Sequence, residues 1–146
     1  MDISVIIPAY NEEKRIAFTL EKSIEFLEQH SWQYELIPVD DGSEDATVAQ
    51  IAEVARDYPR VRCVLNGKNR GKGYSIRHGL GEAKGQFIGF MDADYKTDIT
   101  ALDHAMELLG NGVCGVIGDR TLGESEIARE RKQYREMGSI VFRRGL

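Results

Sequence analysis

Asp92-Ala93-Asp94 is the densest chemical feature of this sequence, and it directly follows an apolar run, Gln86–Met91. Carboxylates one residue apart repel. At ~4 Å like charges cost roughly 1 kcal/mol in water and about 4 kcal/mol at an effective dielectric of 20. A divalent cation removes that cost and adds an electrophile. Mg²⁺ or Mn²⁺ suits oxygen ligands shared with a diphosphate. Such an ion would neutralise the charge growing on a departing nucleoside diphosphate. Three other polar segments follow apolar runs in the same way: Pro8-Ala9-Tyr10-Asn11-Glu12, Asp40-Asp41-Gly42-Ser43, and Asn66 to Gly73. Tyr10 can stack on a base. Asp41 can accept hydrogen bonds from a base or ribose. Arg70 and Lys72 bring positive charge to phosphates.

These segments need a scaffold that gathers them. Apolar runs at Ile3–Ile7, Tyr34–Val39, Val61–Leu65, Gln86–Met91 and Val113–Ile117 read as buried strands. Between them lie helical patterns at Glu12–Gln29, Asp45–Arg56, Gly73–Lys84 and Asp98–Leu109. In the first, Ile16, Leu20, Ile24 and Leu27 form one stripe. The tail Ser125–Phe142 also reads as a helix. Strictly alternating strands and helices predict a mostly parallel sheet with helices on both faces. Ligands then bind beyond the carboxyl ends of the strands, where all four polar segments emerge.

Composition narrows the classes further. The chain has 146 residues, 19 basic against 24 acidic, a net charge of −5 and 42% apolar residues. That is one domain's worth of chain, too acidic overall for a general nucleic-acid binder. No apolar run approaches the ~20 residues of a membrane span, and Met-Asp-Ile-Ser does not open a signal peptide. From Ile127 to Leu146 six basic residues face two acidic ones. A basic tail on an acidic body predicts an anionic partner there. Cys63 and Cys114 form no C-x-x-C and read as buried strand cysteines of a reducing compartment. His30, His78 and His104 show no ligand spacing. A dinucleotide fingerprint is absent from the first loop. Gly67 to Gly73 has glycines one residue too close for a phosphate-binding P-loop, and Gly follows Lys72.

Together, Val5–Glu12, Val39–Ser43, Asn69–Gly73 and Asp92–Asp94 resemble family 2 glycosyltransferases of the GT-A fold. Asn69-Arg70-Gly71-Lys72-Gly73, with Arg77 and Gly79, is most similar to dolichyl-phosphate glucosyltransferases and then to dolichyl-phosphate mannose synthases. The resemblance implies a three-layer α/β fold and inverting, metal-assisted transfer of a hexose from UDP-glucose or GDP-mannose to a polyprenyl phosphate. It implies a nucleotide-sugar site at Pro8, Ala9, Tyr10, Glu12, Val39, Asp41, Lys72, Asp92 and Ala93. Asp92 and Asp94 would hold Mg²⁺ or Mn²⁺. Asp94 and Arg120 would be catalytic, and Arg120, Arg135 and Ser139 would hold the acceptor phosphate. Arg135 and Ser139 are expected on one helical face. Some relatives carry Gln as a further metal ligand where this chain has Lys96, which cannot ligate while protonated and suits a phosphate contact.

The expected organisation is a single domain over residues 1–146, truncated on the C-terminal acceptor side. The expected location is cytoplasmic, or peripheral on the cytoplasmic membrane face. There the tail's Ile127, Tyr134, Met137 and Val141 would form an apolar stripe beside arginines. Two alternatives are a non-catalytic nucleotide-sugar-binding module and a family 2 transferase with a saccharide or lipid hydroxyl acceptor.

Overall fold

The first strand, β1 (Ile3–Ala9), lies at the centre of the sheet because both of its faces are apolar. Ile3, Val5 and Ile7 point to one side and Ile6 to the other, as a two-residue period requires. In the computed structural model, which describes residues 1–96, 98–119 and 137–144 (backbone alone at 119 and 137–140), β1 is followed by α1 (Ile16–Glu28), β2 (Tyr34–Asp40), α2 (Thr47–Asp57), β3 (Val64–Leu65), α3 (Lys72–Glu82), β4 (Phe87–Met91), α4 (Ala101–Gly110), β5 (Gly115–Asp119) and β6 (Met137–Arg143). The sheet order is β3-β2-β1-β4-β6-β5. The first four strands are parallel, and strand order reverses between β1 and β4.

Helices cover both faces. The stripe Ile16, Leu20, Ile24 and Leu27 of α1 is buried, alongside Ile51 and Val54 of α2 and Leu102, Ala105 and Leu109 of α4. Burying one such side chain is worth roughly 1.5–3 kcal/mol. On α2, Thr47, Ile51 and Val54 point inward, while Ala52 is exposed. On the other face α3 packs over Ile6, Ile37 and Val39. Gly79 permits this close approach, because a Cβ there would lie 2.7 Å from Ile6 Cγ2.

The tail departs from expectation. Met137–Arg143 is a strand, not the end of a helix, and runs antiparallel to both β4 and β5. Without it β4 would be left with an unpaired edge. Val141 is buried in the core of this sheet, so it does not belong to an amphipathic stripe. The fifth strand also starts two residues later than the apolar run suggests.

The cysteines correct another expectation. Neither is a fully buried strand residue: Cys63 is half-buried just before β3, and Cys114 is exposed just before β5. Burial pushes the Cys63 thiol up to about 11.

Candidate functional site

The four polar segments meet at the carboxyl ends of β1, β2, β3 and β4, and hydrogen bonds lock them together. Asn11 leaves β1 with φ at +53°, a turn that Asn tolerates better than most residues. Its amide donates to Ser43 Oγ (2.9 Å), and its Oδ1 accepts from the Glu44 amide (2.9 Å). The Glu12 amide donates to Thr47 Oγ1 (2.7 Å), and the Asp41 amide to the Ala9 carbonyl (2.8 Å). At the end of β2, Asp40 accepts from the amides of Gly42 and Ser43 (3.0 and 3.1 Å). Gly42 has φ at +76°, and a Cβ there would lie 2.6 Å from the Lys68 carbonyl carbon. The third loop therefore rests directly on the second.

Asp41 clamps that third loop. Its Oδ1 accepts from Asn66 Nδ2 (2.7 Å) and the Arg70 amide (2.9 Å), and its Oδ2 from the Gly71 amide (2.7 Å). Burial pushes the carboxyl up, but hydrogen bonds from Asn66, Arg70, Gly71 and Ser75 outweigh it and hold the group below its ordinary range. Asn66 also donates to Ser75 Oγ (2.9 Å) and sits 2.7 Å from His78 Nδ1. Because the Asn66 NH₂ group is committed as donor, its Oδ1 must accept, which assigns the proton to His78 Nδ1. Sequence reading leaves His78 without a role. Only the facing of α3 onto this loop shows one.

The fourth segment closes the site. Thr19 of α1 donates to the Ala93 carbonyl (2.7 Å), fixing the turn between Asp92 and Asp94 from beneath. Two hydroxyl residues, Thr19 and Ser23, set on the apolar face of α1 are the sequence signal that could have marked it. Lys72, the first residue of α3, places Nζ 2.5 Å from Asp92 Oδ1. Lys96 places Nζ 2.6 Å from Asp94 Oδ2. Lys96 therefore meets a carboxylate here. Tyr95 adopts φ of +50° and stands edge-on to Phe18, ring centroids 5.5 Å apart.

The sequence-derived residues divide clearly. Tyr10, Glu12, Lys72, Asp92 and Asp94 offer side-chain surface at this edge, with Tyr10 44% exposed. Pro8 is half-buried in β1. Ala9, Val39 and Ala93 are buried and shape the floor, Val39 with its side chain in the core under α3. Arg120 and Arg135 lie outside the described residues. Ser139 lies in β6, paired with Met91 and Gly118, so the expected helical face with Arg135 does not form at that residue. The pairing still sets Ser139 beside the strand end that carries Asp92. Arg143 and Arg144 belong to the opposite end of the sheet: Arg143 lies over the Phe87 ring, and Arg144 donates to the Ala83 carbonyl.

A separate cavity of about 220 Å³ lies between α4 and the sheet, lined by Met91, Ile99, Leu102, Val116 and Val141. Its apolar walls do not suit a diphosphate. Among the described residues no three His, Cys, Asp or Glu side chains form a metal cage. Asp92 and Asp94 fit a different kind of site: two partly exposed carboxylates, each paired with a lysine among the described residues, able to hold a cation whose other ligands come from a diphosphate.

A doubly covered sheet whose order reverses between β1 and β4, with carboxylates at that reversal, is the architecture of a nucleotide-binding α/β fold, and the likeness to solved structures makes it a GT-A glycosyltransferase fold. A mannosyltransferase from Pyrobaculum calidifontis, in complex with GDP-Man and Mn²⁺, superposes with a TM-score of 0.62 at 26% identity, over 77% of this chain and 34% of that one. Glucosyl-3-phosphoglycerate synthase from Mycobacterium tuberculosis, in complex with Mn²⁺, UDP-glucose and phosphoglyceric acid, gives 0.62 at 26% identity, over 78% of this chain and 42% of that one. The chain belongs to glycosyl transferase family 2, whose sequence pattern matches residues 4–145. It is 36% identical over 145 residues to a dolichyl-phosphate beta-glucosyltransferase of Trichomonas vaginalis, covering 92% of this chain and 44% of that protein. The chain thus spans about half the length of the curated relatives it matches.

Proposed function

We propose that this chain forms the donor-binding part of a hexosyltransferase that moves glucose from a nucleotide sugar to a polyprenyl (dolichyl) phosphate. The observation that carries this reading is the convergence of four interlocked loops on Asp92, Asp94 and Lys72 at one sheet edge. The names of the glucosyltransferase relatives support glucose as the sugar, and the donor is read as UDP-glucose first and GDP-mannose second.

Tyr10 would stack on the base. Pro8, Ala9 and Val39 would shape its floor, and Glu12 would sit beside it. Asp41 would act through the loop amides it fixes and through the ribose side of the nucleotide. Lys72 would bind the diphosphate, with Asp92 and Ala93 at the ribose and phosphate. Asp92 and Asp94 would hold Mg²⁺ or Mn²⁺, which supplies electrostatic stabilisation of the departing diphosphate. Arg120, Arg135 and Ser139 are assigned to the acceptor phosphate, with Asp94 and Arg120 as the catalytic pair.

A phosphate oxygen is anionic near neutral pH, so it needs no general base. It attacks the anomeric carbon, a new C–O bond forms, and the bond to the diphosphate breaks with its electron pair leaving on that oxygen. In-line attack inverts the configuration. The protein's contribution is positioning and charge stabilisation. The basic residues between Ile127 and Arg135 would face the cytoplasmic membrane surface that carries the acceptor.

The test is transfer of radiolabelled glucose from UDP-glucose to a polyprenyl phosphate, read as label entering the organic phase. Transfer that Asp94→Ala abolishes supports the proposal. Donor binding without transfer would support a nucleotide-sugar-binding module instead.

A further inference from the structure

The two carboxylates at the upper edge do not wait as bare anions. Lys72 Nζ lies 2.5 Å from Asp92 and Lys96 Nζ 2.6 Å from Asp94. The two lysines arrive from different elements, one from the start of α3 and one from the turn after β4. The Lys96 amide also donates to Asp94 Oδ1 (3.2 Å), so the same turn that carries the ammonium is tied to the carboxylate. Both pairs are accessible: Lys72 and Lys96 side chains are 49% and 41% exposed, and Asp92 and Asp94 34% and 16%. Exposed pairs of this kind are weak, and partners exchange readily.

We propose that Lys96 is a built-in counter-ion that blocks a lone divalent cation at Asp94, so that cation and donor diphosphate bind as a coupled pair. This rests on the reading of Asp92 and Asp94 as the metal's carboxylates. Among the described residues, these two ion pairs set an ammonium against each of the two carboxylates. A divalent cation entering alone must displace both lysines and leave them uncompensated beside it. A diphosphate entering alone meets two carboxylates. When both enter, each carboxylate exchanges its ammonium for the cation, and each ammonium exchanges its carboxylate for a phosphate oxygen. Charge stays balanced throughout, which is a coupling free energy between two ligands at neighbouring positions.

Lys96 is the side chain that tests the idea, because Lys72 also belongs to the proposed diphosphate site. Mn²⁺ binding is read directly from the loss of the free-ion electron paramagnetic resonance signal, with and without UDP, on wild type, Lys96→Met and Lys96→Arg. Methionine removes the charge without adding an oxygen ligand, and arginine retains it. The expected result is weak Mn²⁺ binding to wild type alone and strong binding with UDP. Lys96→Met should bind Mn²⁺ alone about tenfold more tightly or better, with the gain from UDP reduced to match. Lys96→Arg should keep the wild-type coupling. Equal Mn²⁺ affinity in wild type and Lys96→Met, with UDP binding intact, overturns the counter-ion role alone. A gain of Mn²⁺ affinity in Lys96→Met with no UDP binding in any protein supports the counter-ion and overturns both the coupling and the donor reading. No Mn²⁺ binding to any of the three overturns both.

Discussion

Glu35 at the lower edge of the sheet and Asp92 at the upper edge are both carboxylates facing cations, but their surroundings differ. Glu35 is 5% exposed and accepts from the Ser4 hydroxyl (2.6 Å) and the Lys84 amide (2.7 Å), with Arg62 Nη2 at 3.4 Å. Arg62 in turn reaches Glu82 at 2.9 Å. These bonds tie β1, β2 and the end of α3 into one unit. Asp92 and Asp94 meet lysines that remain partly in solvent. A buried, multiply bonded charge holds the fold, because removing one partner strands the others. An exposed pair contributes little to stability and can change partners. The difference supports the proposal that ligands are exchanged at the Asp92–Asp94 edge.

Single substitutions should separate the two edges. Asp92→Ala should reduce metal-dependent UDP-glucose affinity more than about a hundredfold, as loss of an electrostatic anchor does, while the melting temperature hardly moves. Glu35→Ala should do the reverse. It should lose about 2–4 kcal/mol in urea unfolding and leave donor affinity within about twofold, since the sites are distant. If Glu35→Ala lost donor binding at full stability, the contrast between the edges would fail.

Gly42→Ala should cost about 1–3 kcal/mol, because it forces a side chain into positive φ against the third loop. It should also weaken donor binding, since that loop leads to Lys72. Asp41→Asn should cost about 1–2 kcal/mol near neutral pH, because it replaces one accepting oxygen by an NH₂ donor facing N–H donors. The folded pKa of Asp41 lies below the ordinary 3.8. Its contribution is therefore fully present above that value and is lost as pH falls through the folded pKa. Wild type and Asp41→Asn should converge in stability in strong acid, checked by urea titrations across pH 2–6 (a range of about two units either side of the ordinary value). The smallest effect is chemical: iodoacetamide at mild alkaline pH should label Cys114, and Cys63 only after denaturation, as peptide mapping would show.

The alternation of Ile3–Ile7, Tyr34–Val39 and Gln86–Met91 with helical stripes made β1, β2 and β4 readable, because each burial pattern is local. The tail was not readable in the same way. Residues near Val141 satisfy a helical period, but their backbone partners lie near Gly89 and Val116, far along the chain. Strand pairing across that distance leaves no local mark. The candidate site followed the same division. Asp92, Asp94 and Lys72 stood out by type and position. The His78–Asn66–Asp41 chain did not, because its partners are joined only when α3 folds over the third loop. Lys96 was legible as a charge near the site but not as the partner of Asp94.

The central claim, that the upper edge is a metal-dependent donor site, is tested most directly by titrating UDP-glucose into the wild-type chain in a calorimeter, once with Mn²⁺ and once with EDTA in its place. The account predicts saturable heat with Mn²⁺ and its loss with EDTA. Equal binding under both conditions, or no binding with Mn²⁺, would contradict it.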